Sequence, residues 1–178
     1  MGFIPEITTR VTVTVNTDSV DEGISRIESD PILSQCHSLT ETLTNVKNKL
    51  QGLEQPVAEA VAGRLQSNQE MIISSKHYIT GMMANSVDIS QDGNDYLVGN
   101  TAMSMDGFPY PLAIETGRRE VYPIDAKVLR WFEGGIGGTP VFAHHSSSVP
   151  ADPFVQPSID NTIADITEIV GDEIRKVI

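Results

Sequence analysis

Few residues in this chain could support catalysis or metal binding, and their spacing argues against both. Four histidines and a single cysteine, Cys36, are present. Only His144 and His145 are close together, and adjacent residues on a strand point to opposite faces, so they would rarely bind one ion. A lone cysteine forms neither an intramolecular disulfide nor a multi-cysteine metal site. The sequence therefore predicts no metal centre.

Two other segments bear on catalysis or nucleotide binding. Residues 134–138 read GGIGG, but they lack the strand-to-helix setting and the trailing Lys-Ser or Lys-Thr of a phosphate-binding loop. The serines at 146–148 stand outside any GxSxG context and favour a simple loop. We expect no cofactor and no enzymatic activity. A metal-dependent nuclease that uses His144, His145 and nearby acids is the enzymatic alternative.

A pair of arginines could make an intermolecular contact. Arg118 and Arg119 follow Gly117 and lie near Glu115 and Glu120. The planar guanidinium group suits two-pronged pairing with a carboxylate or a phosphate. This segment could hold a neighbouring subunit or touch passing DNA. The alternative is a local salt bridge on the surface.

Composition limits the classes of partner. Twenty-four acidic and twelve basic residues give a net charge of −12, whereas proteins that bind DNA tightly present clustered lysines and arginines. No stretch approaches the roughly 20 apolar residues that span a bilayer. The first ten residues also lack the basic and apolar regions of a signal peptide. We expect neither avid DNA binding nor a membrane anchor.

The first 74 residues are predicted to form a strand and helices. Residues 8–15 alternate between polar and apolar, which is typical of a half-buried strand, and a short helix is expected between Ser19 and Asp30. Apolar residues then recur at steps of four and three from Leu39 to Val57, which predicts a helix to about Gln51 and a second helix from Pro56. This stripe either packs inside the subunit or forms an intermolecular coiled coil.

The second part of the chain mixes strands and helices. A hairpin is predicted around the turn at residues 91–94, and a short helix over 110–116 is stopped by Gly117. Strand candidates are residues 120–122 and 140–143, the latter inside a glycine- and serine-rich segment, 133–150, that we expect to form flexible loops. Apolar spacing predicts a long helix over 154–178. We therefore expect one α+β domain, with a small antiparallel sheet packed against the C-terminal helix.

The order of several short motifs resembles a viral family. The motifs are SKHYITGMMANS at 75–86, VGN at 98–100, YPLAIETG at 110–117, PIDAKVLRW at 123–131, VFA at 141–143 and DPFVQPSID at 152–160. In this order they resemble the lambdoid-type tail-component family of tailed phages, also called neck or tail-completion proteins. The glycine-rich insert is longer than in that family, and serines and histidines stand where it has basic residues near Val149.

This resemblance implies a structural role in the virion. Such a protein would form a ring, with six subunits expected, at the head–tail joint. It would contact head-closure or connector proteins and tail-tube or tail-terminator proteins, and viral DNA would pass through it. It would be found in the virion and, during assembly, in the host cytoplasm. The candidate interface or channel residues are Glu115, Arg118, Arg119, Phe142 and Phe154. The non-viral alternative is a cellular protein-binding module.

Overall fold

The chain folds into the α+β architecture that its sequence predicts. The computed structural model describes residues 7–31, 33, 37–76, 81–103, 108–124, 126–133 and 138–177. The helices are α1 (Asp18–Ser29), α2 (His37–Gln51), α3 (Glu54–Lys76), α4 (Tyr110–Thr116) and α5 (Val155–Val177). The strands are β1 (Ile7–Val11), β2 (Val87–Asp92), β3 (Asp95–Asn100), β4 (Leu129–Glu133) and β5 (Thr139–Ala143).

The main sheet is antiparallel and has the strand order β1-β3-β2. The predicted hairpin is confirmed, because β2 pairs with β3 across a tight turn in which Gly93 has a φ of 65°. The first strand is shorter than the predicted range 8–15. Val11 pairs with Tyr96, next to the start of β3, so the residues after Val11 have no strand opposite them. The amide of Val15 instead donates to Glu54 Oε1, at 3.0 Å.

The core lies between the sheet and α3. Val57 and Leu65 of α3 are buried in one cluster with Val87 and Val98 of the sheet. Burying a side chain of this size contributes about 1.5–3 kcal/mol relative to leaving it exposed. The helix begins at Glu54, slightly before the predicted start, and includes Pro56 in its first turn, where the missing N–H costs nothing.

The long C-terminal helix is confirmed and packs along α3, and most of its predicted apolar stripe is half-buried against the core, as at Ile159 and Ile174. The residues buried on α5 are Ser158, Thr162 and Ile169. Asn68 of α3 donates to Thr162 Oγ1 at 3.0 Å, within this contact. Ile163, in the middle of the predicted stripe, is 61% exposed. Small polar residues thus lie at the contact between the two helices, and the middle of the stripe, at Ile163 and Ile166, is exposed.

The apolar stripe of α2 is only partly used inside the subunit. Leu53, in the turn after α2, and Val57 are buried, whereas Leu39 and Val46 are about 40% exposed. No residue of α2 itself is buried. Internal packing, one of the two alternatives for this stripe, is therefore confirmed for its C-terminal part alone.

Candidate subunit interface

We call residues 118–150 the arm, and their described part, 118–124, 126–133 and 138–150, forms a ribbon; we call the rest of the chain the body. The pairings of the arm are nested and antiparallel: Arg118 bridges Val149, Val121 bridges Ser146, and β4 pairs with β5. Among the described helices and strands, β4 and β5 make an extensive contact only with each other. A two-stranded ribbon with little further packing is marginally stable by itself. A partner surface would stabilise it.

The segment that we expected to be loops is partly paired. Within 133–150, β5 is confirmed as a strand, and Ser146 and Val149 make backbone hydrogen bonds of 2.7 to 3.0 Å to the other side of the arm. The expected strand at 120–122 is a single bridge at Val121. Sequence reasoning missed β4, although its partner was found. Residues 134–137 lie outside the described residues.

The base of the arm is fixed to the start of α5. Glu115, at the end of α4, accepts hydrogen bonds from the backbone N–H groups of Phe154 at 2.8 Å and Val155 at 3.2 Å. These amides open α5 and have no partner within the helix, so the carboxylate caps the helix and complements its dipole. The amide of Asp152 donates to the carbonyl of Ile114 at 2.9 Å. Glu115 therefore holds the end of α4, from which the arm leaves the body, against the start of α5.

Gly117 is required where the chain leaves the body. Its φ is 76° and its ψ is 170°, a combination that residues with a side chain rarely adopt. A Cβ at this position would lie 2.8 Å from the nitrogen of Ala151 and 3.0 Å from the carbonyl oxygen of Val149. The outgoing and returning chains thus touch at this residue. The glycine that was predicted to stop α4 also closes the base of the arm.

The two arginines of the arm differ in availability. Arg118 donates through Nη2 to Ser146 Oγ at 2.8 Å and to the carbonyl of Ser147 at 3.1 Å, so its guanidinium group holds the arm together. Arg119 is exposed. The local salt bridge considered above is not formed among the described residues, since Glu115 caps α5 and Glu120 accepts from the Tyr122 hydroxyl at 2.8 Å. That hydrogen bond raises the pKa of Tyr122.

Several apolar side chains of the arm face solvent. They are Val121, Tyr122, Ile124, Phe142 and Val149. Ile124 is 96% exposed and Phe142 is 60% exposed. The Phe142 ring lies 5.9 Å from the guanidinium carbon of Arg130, its cross-strand neighbour, and Tyr122 stacks on His145 with ring centroids 5.7 Å apart. Single exposed apolar residues are ordinary, but several on one thin ribbon are typical of a contact surface.

The structure separates the five candidate residues into two groups. Arg119 and Phe142 are exposed on the arm and are available to a partner, while Arg118 supports the arm from within. Phe154 was expected at an interface, but it is fully buried in the core. The proline-flanked motif around it starts α5 and seats the aromatic ring inside the body, which corrects this expectation. Glu115 caps the same helix and lies at the base of the arm.

Metal sites and membrane spans are not found among the described residues. There, no three or more histidine, cysteine, aspartate or glutamate side chains are grouped so that they could hold a metal ion. His144 Nδ1 lies 3.3 Å from the carbonyl oxygen of Lys127, and His145 stacks on Tyr122. No described helix has both the length and the apolar character to cross a bilayer.

Comparison with known proteins leaves the family open. No family model, no curated protein and no solved structure matches the chain. The resemblance to phage tail components therefore stays a prediction that depends on the order of short motifs. The geometry of the arm is an independent observation, and it bears on function without reference to any family.

Proposed function

We propose that this chain is a non-enzymatic structural subunit of a tailed-virus particle and that it forms a ring at the neck or tail end. One observation carries the proposal: the arm extends from a folded body and exposes Ile124 and Phe142, although none of its described side chains belongs to the buried core. A ribbon of this kind gains its packing from another molecule. The motif order supports a viral setting, and assembly at a head–tail joint requires subunits that contact copies of themselves.

The charge of the chain suits a channel for DNA. A ring of subunits that each carry a net charge of −12 repels phosphates and offers duplex DNA few binding sites. DNA could then slide through without being held. This part of the proposal requires the acidic residues to face the lumen, and a map of an assembled ring that showed a basic lumen would contradict it.

Self-association tests the ring directly. The purified chain should sediment as a larger species with rising concentration, and negatively stained images should show closed rings. The double variant Ile124→Ser, Phe142→Ser should shift the equilibrium towards the monomer, because interface contacts of large apolar side chains carry much of the binding energy. The matched control is Leu39→Ser, Val46→Ser, which changes two exposed apolar residues of α2.

The same measurements separate the rival functions. A cellular protein-binding module would stay monomeric at every concentration and would be absent from purified virus particles. A nuclease would cut DNA in the presence of a divalent cation and would lose that activity in His144→Ala and His145→Ala. A stable monomer, absence from particles and a metal-dependent turnover together would replace the proposed function.

A further inference from the structure

The two layers of the body differ in width. α3 and α5 pack side by side, and with their side chains two helices span roughly 20 Å. The sheet that faces them has three strands, which at a spacing of about 4.8 Å span roughly 14 Å. The sheet is therefore about one strand too narrow to cover both helices. The uncovered side is the one next to β1, which is an edge strand.

An apolar groove of about 370 Å³ lies where the sheet ends. One wall is formed by residues 9–13, in β1 and just after it. Val61 and Leu65 of α3 contribute to the lining, and the opposite wall includes Ile163 and Ile166 of α5. These two isoleucines are 61% and 37% exposed. They are the part of the α5 stripe that the body leaves uncovered.

The edge of β1 defines what can fill this groove. The outer edge of an edge strand carries backbone N–H and C=O groups that can pair with an added strand. A strand added beside β1 would extend the sheet over α5 and direct alternate side chains onto Ile163 and Ile166. The groove thus fits an extended segment that has a large apolar side chain on one face.

We infer that the occupant is the arm of a second copy, with its β4–β5 ribbon added to the edge of β1 and Phe142 placed in the groove. This inference rests on the proposed function and specifies which surfaces meet in the ring. The arm supplies what the groove requires, since β5 is extended and the Phe142 side chain is 60% exposed. The groove supplies what the arm lacks, which is a packed apolar face.

Charge favours this occupant over an acidic partner. Residues 118–150 carry four basic and three acidic residues, while the rest of the chain carries eight basic and twenty-one acidic ones. Carboxylates lie near the groove: Asp92 and Asp95 share the single guanidinium of Arg10, and Asp160 is exposed on α5 next to Ile159. The weakly basic arm therefore meets an acidic rim.

Because arm and groove are different surfaces, the contact is heterologous and generates a ring when its rotation closes.

Disulfide cross-linking between two separately purified variants tests this contact. Both chains carry Cys36→Ser; one also carries Phe142→Cys and the other Ile163→Cys. We expect mild oxidation of the mixture to give a covalent dimer as the main product. The matched control pairs Phe142→Cys with Val46→Cys, whose position on α2 is 41% exposed, and it should give little dimer.

In addition, Ile163→Asp should raise the dissociation constant of self-association by roughly tenfold or more, with an unchanged circular dichroism spectrum.

The outcomes distinguish this inference from the function on which it rests. A dimer that forms only with Ile163→Cys, together with the weakened association of Ile163→Asp, supports the arm-in-groove contact. Rings that form without that cross-link, or that cross-link equally through Val46→Cys, overturn the contact and leave the ring in place. A chain that stays monomeric at every concentration overturns both the ring and this contact.

Discussion

At the scale of single residues, the Glu115 carboxylate joins two parts of the chain that are 39 residues apart, at the end of α4 and the start of α5. We predict that Glu115→Ala lowers the free energy of unfolding by about 1–3 kcal/mol, because the backbone amides of Phe154 and Val155 lose a charged acceptor. Glu115→Gln should cost less, since it keeps an acceptor. Urea unfolding measures both. Glu168→Ala, an exposed change on α5, the helix that Glu115 caps, is the control, and an equal loss there would contradict the capping role.

A second residue-scale prediction concerns pH. Arg10 ties β1 to the hairpin turn, with Nη1 2.7 Å from Asp95 Oδ2 and Nη2 2.9 Å from Asp92 Oδ2. The hydrogen bond from Arg10, with a smaller one from Thr12, lowers the pKa of Asp95. Because the pKa is lower in the folded chain, the pair stabilises the fold above the unfolded value of about 3.9. This stabilisation is lost as the pH falls through the folded pKa.

Arg10→Met should return the pKa of Asp95 towards its ordinary value, as followed by NMR titration of the carboxyl carbon. The stability difference between this variant and the original chain should be small near neutrality, since the pair is exposed, and should disappear in strong acid. Arg175→Met, which removes the exposed pair with Asp172 on α5, is the control. An Asp95 pKa that does not respond to Arg10→Met would refute the assignment.

The residue roles show where sequence reasoning reaches its limit. Glu115 and Phe154 stand in recognisable motifs, yet no periodicity tells that the carboxylate of one accepts from the amide of the other. Such contacts depend on the path of the chain between them. Phe142, by contrast, was named as an interface candidate through the motif resemblance, and the structure leaves its side chain 60% exposed on β5.

At the scale of elements, local signals were sufficient for the hairpin of β2 and β3 and for the end of α4, where a glycine adopts a positive φ. They were insufficient for α5. Its isoleucine spacing correctly predicts a helix whose stripe is half-buried against the core, but the residues that are fully buried on it are Ser158, Thr162 and Ile169. Close helix packing favours small residues, and hydrophobic periodicity does not reveal this. The shortened β1 likewise depends on where its partner strand begins.

The glycines give an element-scale prediction with an internal control. Gly117→Ala should lower the free energy of unfolding by about 1–3 kcal/mol, because a positive φ and a distance of 2.8 Å from the added Cβ to the Ala151 nitrogen oppose a side chain. Gly63→Ala, in α3, meets nothing within 4 Å and should stabilise the chain by about 0.5–1 kcal/mol through helix propensity. Thermal unfolding of both variants measures the opposite signs. Equal effects would contradict the proposed geometry of the arm base.

At the scale of the whole molecule, the body and the arm should be separable. No side chain of 118–150 that the structure describes belongs to the buried core, and the two ends of the arm touch at Gly117 and Ala151. We predict that replacing the arm with a short Gly-Ser linker leaves cooperative thermal unfolding within a few degrees of the original and abolishes self-association. Circular dichroism and sedimentation measure the two effects.

The control for this deletion is a chain truncated before α5. It should fail to unfold cooperatively, because α5 carries buried residues of the core and packs along α3. A body that loses cooperative unfolding when only the arm is removed would show that the arm is part of the folding unit.

The exposure of α2 has a consequence for the dynamics of the chain. None of its residues is buried, and its side-chain anchors are surface contacts such as Lys47 with Asp21 and Lys49 with the carbonyl of Val177. In deuterium labelling, its amide protons should exchange through a local opening that costs little free energy, whereas those of α3 should exchange only through global unfolding. The α1–α2 pair would then behave as a separate cooperative unit, the first to open and the last to close.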